Sequence, residues 1–251
     1  QLTWVRRKYS EKLTFSHDSR GGIIDAAGDS PHQFSANVLM ATEYLYRGLT
    51  KSNEDPAIQG DFDYSHETLG VYVGFWASSI EFNAGTTNTA SIETNFYGGI
   101  AGEFDNGVSW DIDGLYYYYP DSNEDTVGDF NFVEVYGNLG YTVEASRDPT
   151  IDFGIAYTPD FFGEDDDGIY LYGGLSFTLP HNFDIYSNIG YQDVNGGKTS
   201  GPAGFNYVHY AVGLTYDFGI LTFDGSWNDA DDDCGPGDAY EAFVLTVSSS
   251  W

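Results

Sequence analysis

Twelve carboxylates and one guanidinium carry the chemistry this sequence offers: Glu43, Asp61, Asp63, Glu93, Glu103, Asp111, Asp113, Glu134, Asp152, Asp184, Asp217 and Asp224 against Arg47. Each falls on the less apolar row of an alternating segment, so a sheet would set all of them on one surface. Lining a water-filled pore, they would build a negative potential that concentrates cations and repels anions, more so where low-dielectric walls focus the field. The competing reading is that part of the set is neutralised, pairing with Arg47 or accepting from tyrosine hydroxyls as a plug, or serves solubility.

A second set of acids falls in the loops expected at the extracellular end: Asp121, Glu124 and Asp125; Glu164, Asp165, Asp166 and Asp167; Asp229, Asp231, Asp232 and Asp233. Clustered carboxylates suit hard divalent cations, which could bridge them to lipopolysaccharide phosphates, but the spacing of an EF-hand loop is missing and a solvated acidic rim is the simpler reading. The five histidines, His17, His32, His66, His181 and His209, form no metal-ligand spacing, so no metal site or cofactor is expected. There is no G-x-S-x-G elbow. A barrel hydrolase would need a lipid-facing Ser-His pair, whereas His209 is expected to point inward; the chain is read as a non-enzyme. Cys234 in DADDDCGPGD is a lone soft ligand among hard ones and receives no role. A net charge of -30 opposes nucleic-acid binding, which needs clustered Lys and Arg.

Positioning these groups falls to strands. With 31 Gly, 21 Tyr and 18 Phe against one Met, the composition favours sheet over helix. No run approaches the roughly 20 apolar residues of a membrane helix, and the mean hydropathy is -0.34. Membrane barrels escape that test because lipid-facing and lumen-facing residues alternate. From Ser35 the chain parses into twelve alternating segments near 35-47, 57-65, 70-81, 91-103, 108-119, 130-142, 151-158, 168-179, 183-193, 206-217, 220-228 and 240-251. Long connections (LTKSNEDP, PDSNEDTVGD, PDFFGEDDDG, NGGKTSGPAG, DADDDCGPGD) alternate with short ones (HETL, FDNG, LPHN, FG); VEASRDPT is longer than this pattern predicts. Short turns at one end and long loops at the other describe an outer-membrane up-and-down β-barrel, all-β and antiparallel, with even strand number and periplasmic termini. The last strand, AYEAFVLTVSSSW, would pair with the first and turn Phe243, Leu245, Val247 and Trp251 to lipid. A start at Gln1 reads as a mature chain after signal-peptide removal.

Several blocks in order, TEYLYRGLTKSNEDPAIQGDFDYSHE, VYVGFWAS, FYGGIAGEF, GLYYYYP, FVEVYGNLGY, YTPDFFG and IGYQDV, resemble the TorF family of outer-membrane porins across 35-251. The resemblance implies a barrel pore in a Gram-negative outer membrane. Residues 1-34 lie outside it and form an N-terminal extension holding Arg6, Arg7, Lys8, Lys12 and Arg20, five of the nine basic residues, against four acids. Its charge is thus +1, against -31 for the remaining 217 residues. Attraction to an acidic lumen would make it a plug, and a periplasmic tail or docking strand is the alternative. The functional expectation is a passive diffusion channel for small hydrophilic solutes, cationic or neutral, with cation preference. Its partners would be outer-membrane lipid, lipopolysaccharide and divalent cations at the acidic loops, and a homo-oligomer is compatible with such a barrel. The alternative is a closed barrel serving structure or partner docking.

Overall fold

The computed structural model describes residues 30–84, 87–120, 122, 130–162, 166–196, 204–231 and 240–251. In chain order its strands are β1 (His32–Ala41), β2 (Leu45–Tyr46), β3 (Leu49–Thr50), β4 (Ala57–His66), β5 (Val71–Ala84), β6 (Thr87–Glu103), β7 (Val108–Tyr118), β8 (Phe132–Thr142), β9 (Thr150–Thr158), β10 (Gly168–Leu179), β11 (Phe183–Val194), β12 (Phe205–Phe218), β13 (Leu221–Ala230) and β14 (Glu241–Ser250). All but β2 and β3 close into one antiparallel barrel of twelve neighbouring strands. At the seam β1 pairs with β14 from Asn37↔Ser250 to Ala41↔Thr246. Ala36 and Trp251 extend it by exchanging N–H···O bonds of 2.9 Å each. The terminal tryptophan therefore helps complete the ladder, so that no strand edge is left open there.

Period-two alternation sorts the side chains. Ile58, Phe62, Val73, Ile112, Val135, Ile151, Phe153, Ile189, Val212, Phe243 and Leu245 are exposed on the outer wall. So continuous an apolar surface far exceeds the patches that water-soluble monomers tolerate and matches a hydrocarbon belt. Exposed aromatic rings edge it: Phe34, Phe104 and Phe218 towards the short turns, Tyr118, Tyr157, Tyr191 and Tyr210 towards the long loops. On the inner wall, tyrosine rings lie over glycines of adjacent strands. Tyr172 covers Gly154, Tyr170 covers Gly190, Tyr186 covers Gly213 and Tyr97 covers Gly74, and a Cβ on any of these glycines would come within 2.2–2.4 Å of the tyrosine side chain. Glycine is required there by close approach, and the ring shields the exposed backbone in return.

Two elements differ from the sequence expectation. The first strand does not run 35-47: β1 ends at Ala41, and residues 42–56, here loop L1, leave the wall. Glu43 and Arg47, expected on a strand face, both lie on L1. Between β2 and β3 the chain reverses at Arg47 (φ 51°) and Gly48 (φ 83°), the two positive-φ centres of a primed hairpin turn. Strands expected to stop near 81 and start near 91 instead continue as a hairpin, Phe82↔Ala90 to Ala84↔Thr87, past a register shift after Ser79. The long VEASRDPT turn is anchored: Val143 N–H donates to the Pro149 carbonyl at 2.9 Å, and Thr178 N–H to the Arg147 carbonyl at 2.9 Å, fastening the turn to β10. Arg6, Arg7, Lys8, Lys12 and Arg20 of the expected plug lie outside the described residues.

L1 enters the barrel from the long-loop end and packs against β12 and β13, where a Cβ on Gly48 would stand 2.6 Å from His209 Cβ and 3.3 Å from Ala230 Cβ. Substituting Gly48→Ala should unseat L1, since the left-handed backbone alone costs an L-residue about 1–2 kcal/mol and the collision adds to it. Arg47 and Lys51, buried in the native barrel, should then become trypsin sites while the strands resist digestion; a variant as resistant as the native protein would show that L1 is not held by this contact.

Candidate functional site

The lumen divides into two halves of different chemistry. In the half nearer the long loops, L1 packs against the wall on several sides. Tyr44 joins Trp76, Leu115, Tyr117, Tyr119, Phe132, Tyr136, Phe161 and Tyr170 in one buried cluster. Leu45 packs with Leu39, Ala41 and Val244 at the seam, and Leu49 sits against Tyr207 and Ala230. A backbone tie holds the loop to β5, where Glu81 N–H donates to the Lys51 carbonyl at 2.9 Å, and within L1 Tyr44 N–H donates to Ser52 Oγ at 2.9 Å.

L1 brings two cations into this packing, each facing a fully buried glutamate. Arg47 Nη2 lies 2.7 Å from Glu134 Oε2 on β8, and Arg47 Nη1 donates to Gln192 Oε1 on β11 at 2.5 Å. Its guanidinium stacks on Tyr46 and Tyr170, 4.7 and 4.1 Å from their centroids. Glu134 also accepts from Tyr117 at 3.0 Å and Tyr136 at 2.5 Å. Lys51 Nζ lies 2.8 Å from Glu93 Oε2 on β6 and donates to Tyr119 OH at 2.7 Å, while Tyr44 OH and Asn95 Nδ2 satisfy Glu93 Oε1 at 3.3 and 3.0 Å. Burial pulls the Lys51 pKa below its ordinary value, with Glu93 acting in the opposite direction. For Arg47 burial also disfavours the charge, yet Glu134 and the tyrosines beside it hold the pKa well above the usual value. Removing one member of such a pair strands the other charge, at a cost of about 3–5 kcal/mol.

Towards the short turns the inner wall keeps its carboxylates. Asp61 accepts from Asn37 Nδ2 at 3.1 Å, Asp63 from Tyr97 OH at 2.5 Å and Asp111 from Tyr72 OH at 2.7 Å and Asn138 Nδ2 at 3.1 Å. Asp224 accepts from Tyr186 OH at 3.3 Å. Asp113 is buried, Asp152 and Asp184 are half-buried, and Glu103 and Asp217 are exposed at the mouth. The described lysines and arginines are Arg47, Lys51 and Arg147, the last on an exposed turn. Between the halves, beneath Arg47, lies a cavity of about 110 Å³ lined in part by Tyr170, Tyr172, Asp152, Asn188, Asn228 and His209, polar enough to hold water. His209 points inward, its Nε2 2.8 Å from Tyr170 OH.

The twelve carboxylates thus part ways. Glu93 and Glu134 are neutralised by L1, Glu43 accepts from Tyr240 OH within the loop end, and the remaining nine occupy the short-turn half. Of the loop acids, Asp167 accepts from Asn195 Nδ2 at 3.2 Å, Asp229 from Tyr210 OH at 2.6 Å and Asp231 from the Val208 N–H at 3.2 Å; Asp166 accepts from the Asp167 N–H at 3.0 Å. Asp121, Glu124, Asp125, Glu164, Asp165, Asp232, Asp233 and Cys234 lie outside the described residues. Among the described residues no group of three or more His, Cys, Asp or Glu is arranged to hold a metal ion. Sequence reading missed Lys51, Tyr44, Tyr46, Tyr119 and Gln192. The signal was present in TEYLYRGLTK, which holds two of the four basic residues found after the extension.

Solved structures share this architecture. A KdgM porin aligns with a TM-score of 0.53 at 10% identity, covering 86% of this chain and 99% of that one. An outer membrane channel from Pseudomonas putida F1 gives 0.55 at 10% identity, with 92% and 99% covered. LpxR from Salmonella typhimurium, an enzyme, gives 0.55 at 9% identity, with 86% and 99% covered. At these identities the likeness establishes the fold, a twelve-stranded barrel of the outer-membrane type that serves mostly porins and channels among these neighbours and an enzyme in LpxR. No curated protein matches the sequence. Over residues 25–250 the sequence matches a bacterial family described as a protein of unknown function, and the chain belongs to that family, Gcw_chp.

Proposed function

We propose that the chain is a channel of the Gram-negative outer membrane, passing small cationic or neutral hydrophilic solutes by diffusion, with L1 as an internal plug that sets how far it opens. The observation that carries this reading is the asymmetric lumen: nine carboxylates on the short-turn half, a cavity between the halves lined in part by Asp152, Asn188 and Asn228, and a plug whose two cations are each paired with a wall glutamate. Carboxylates on a low-dielectric wall favour cations over anions. The block resemblance to the TorF porins accords with the same reading. Outer-membrane lipid and lipopolysaccharide would surround the belt, and divalent cations at the acidic rim would be accessory. A closed structural or docking barrel is the second reading, favoured by the three apolar clusters that L1 joins or adjoins.

Planar-bilayer recording separates the two. The native protein should give discrete ohmic steps, and Arg47→Ala/Lys51→Ala, with both latches gone, should give steps severalfold larger; silence from both folded proteins would leave the closed barrel. Selectivity is a separate matter. Replacing Asp61, Asp63, Asp111 and Asp113 with Asn should lower the cation-to-anion permeability ratio taken from reversal potentials in a salt gradient, and an unaltered ratio would remove these four side chains from the permeation path.

A further inference from the structure

Lys51 sits in an unusual place for a lysine that merely fastens a loop. Five aromatic rings surround its Nζ, with centroids at 4.2 Å for Tyr46, 5.3 Å for Tyr119, 5.5 Å for Tyr117, 5.5 Å for Phe162 and 5.9 Å for Phe82. Four of the five belong to the barrel wall and its loops; Tyr46 alone arrives with L1. The wall also supplies the two oxygens that take ammonium protons, Glu93 Oε2 and Tyr119 OH. Further rings brace the enclosure, Phe130 stacking on Phe162 at 4.8 Å and an interplanar angle of 12°. Ring faces attract a cation through their quadrupole, and more strongly once it is desolvated.

We infer that the chamber formed by Glu93, Tyr117, Tyr119, Phe82 and Phe162 is a binding site for primary alkylammonium ions, and that Lys51 occupies it as a tethered competitor. The donor count selects the ligand class. A primary ammonium has three N–H donors; Glu93 and Tyr119 accept two, and the third faces the rings. A quaternary ammonium has no proton for either oxygen. A bare sodium or potassium ion would have to exchange its hydration shell mostly for ring faces, whereas hard cations take oxygen ligands. The alkyl stem of the ligand would follow the path of the Lys51 methylenes, packed against aromatic carbon. An amine that takes the chamber expels Lys51 and frees L1 at one of its two latches, so solute binding and plug release become one event. That last consequence rests on the channel reading; the binding site does not.

The test is therefore a binding measurement, made without reference to conductance. Detergent-solubilised native protein, Lys51→Ala and Lys51→Ser are titrated with n-butylammonium chloride by isothermal calorimetry, against sodium chloride at equal ionic strength, with circular dichroism verifying the barrel in each. With the tethered competitor removed, either lysine variant should bind n-butylammonium at least tenfold more tightly than the native protein. Adding Glu93→Gln to it should abolish the binding, and tetramethylammonium should bind at least tenfold more weakly. A folded Lys51 variant that shows no saturable n-butylammonium binding, or binding that survives Glu93→Gln, overturns the inference. Saturable binding by a protein that is electrically silent would sustain the site while defeating the channel.

Discussion

Everything in this molecule follows from one constraint: at bilayer depth no backbone N–H or C=O can be left unpaired. An antiparallel sheet meets it only by closing on itself, which the β1–β14 ladder and the Ala36–Trp251 pair accomplish at the seam. Closure then dictates the rest. Alternation sends one row of every strand to lipid and the other to the interior, and that interior cannot be filled by the wall alone in a ring of twelve strands. The protein fills half of it with L1 and leaves the other half lined by acids. Tyr170, laid over Gly190, supplies the ring face on which the Arg47 guanidinium stacks.

The electrostatics of the interior follow from what L1 brings. A chain with 39 acidic residues and 9 basic ones would repel itself across a narrow lumen. Placing Arg47 and Lys51 against Glu134 and Glu93 cancels the two carboxylates that are most deeply desolvated, at 1% and 0% exposure, where an unpaired charge is least affordable. Asp63, buried at 3% exposure, and the half-buried Asp111 and Asp224 are held by hydroxyl and amide donors instead, and Glu103 and Asp217 at the mouth are exposed.

Strand number, strand faces and the sorting of short and long connections were legible in the sequence because each rests on a local signal: period-two alternation, short connections such as FDNG, glycine and aspartate runs in the long loops. L1 was not legible, since an alternating segment looks the same whether it continues up a wall or folds into a lumen. Arg47 shows the difference. Its residue type named its partner class, and the competing expectation that part of the acid set would pair with Arg47 or accept from tyrosine hydroxyls is the arrangement seen at Glu134. What no local pattern carried was the reach of the contact, Arg47 to Glu134 across 87 residues and to Gln192 across 145. Lys51 was passed over because LTKSNEDP has the composition of a solvated loop.

The position of L1 in the chain also sets an order of assembly. The loop follows directly on β1, the strand whose pairing with β14 completes the ring, and it contacts walls as distant as β8, β11 and β12. Those walls face one another only after the sheet has curled, so L1 seats last, beside the β1–β14 seam. Its guanidinium and ammonium thus travel to their glutamates through the water of an enclosed barrel, and neither charge ever has to pass through hydrocarbon.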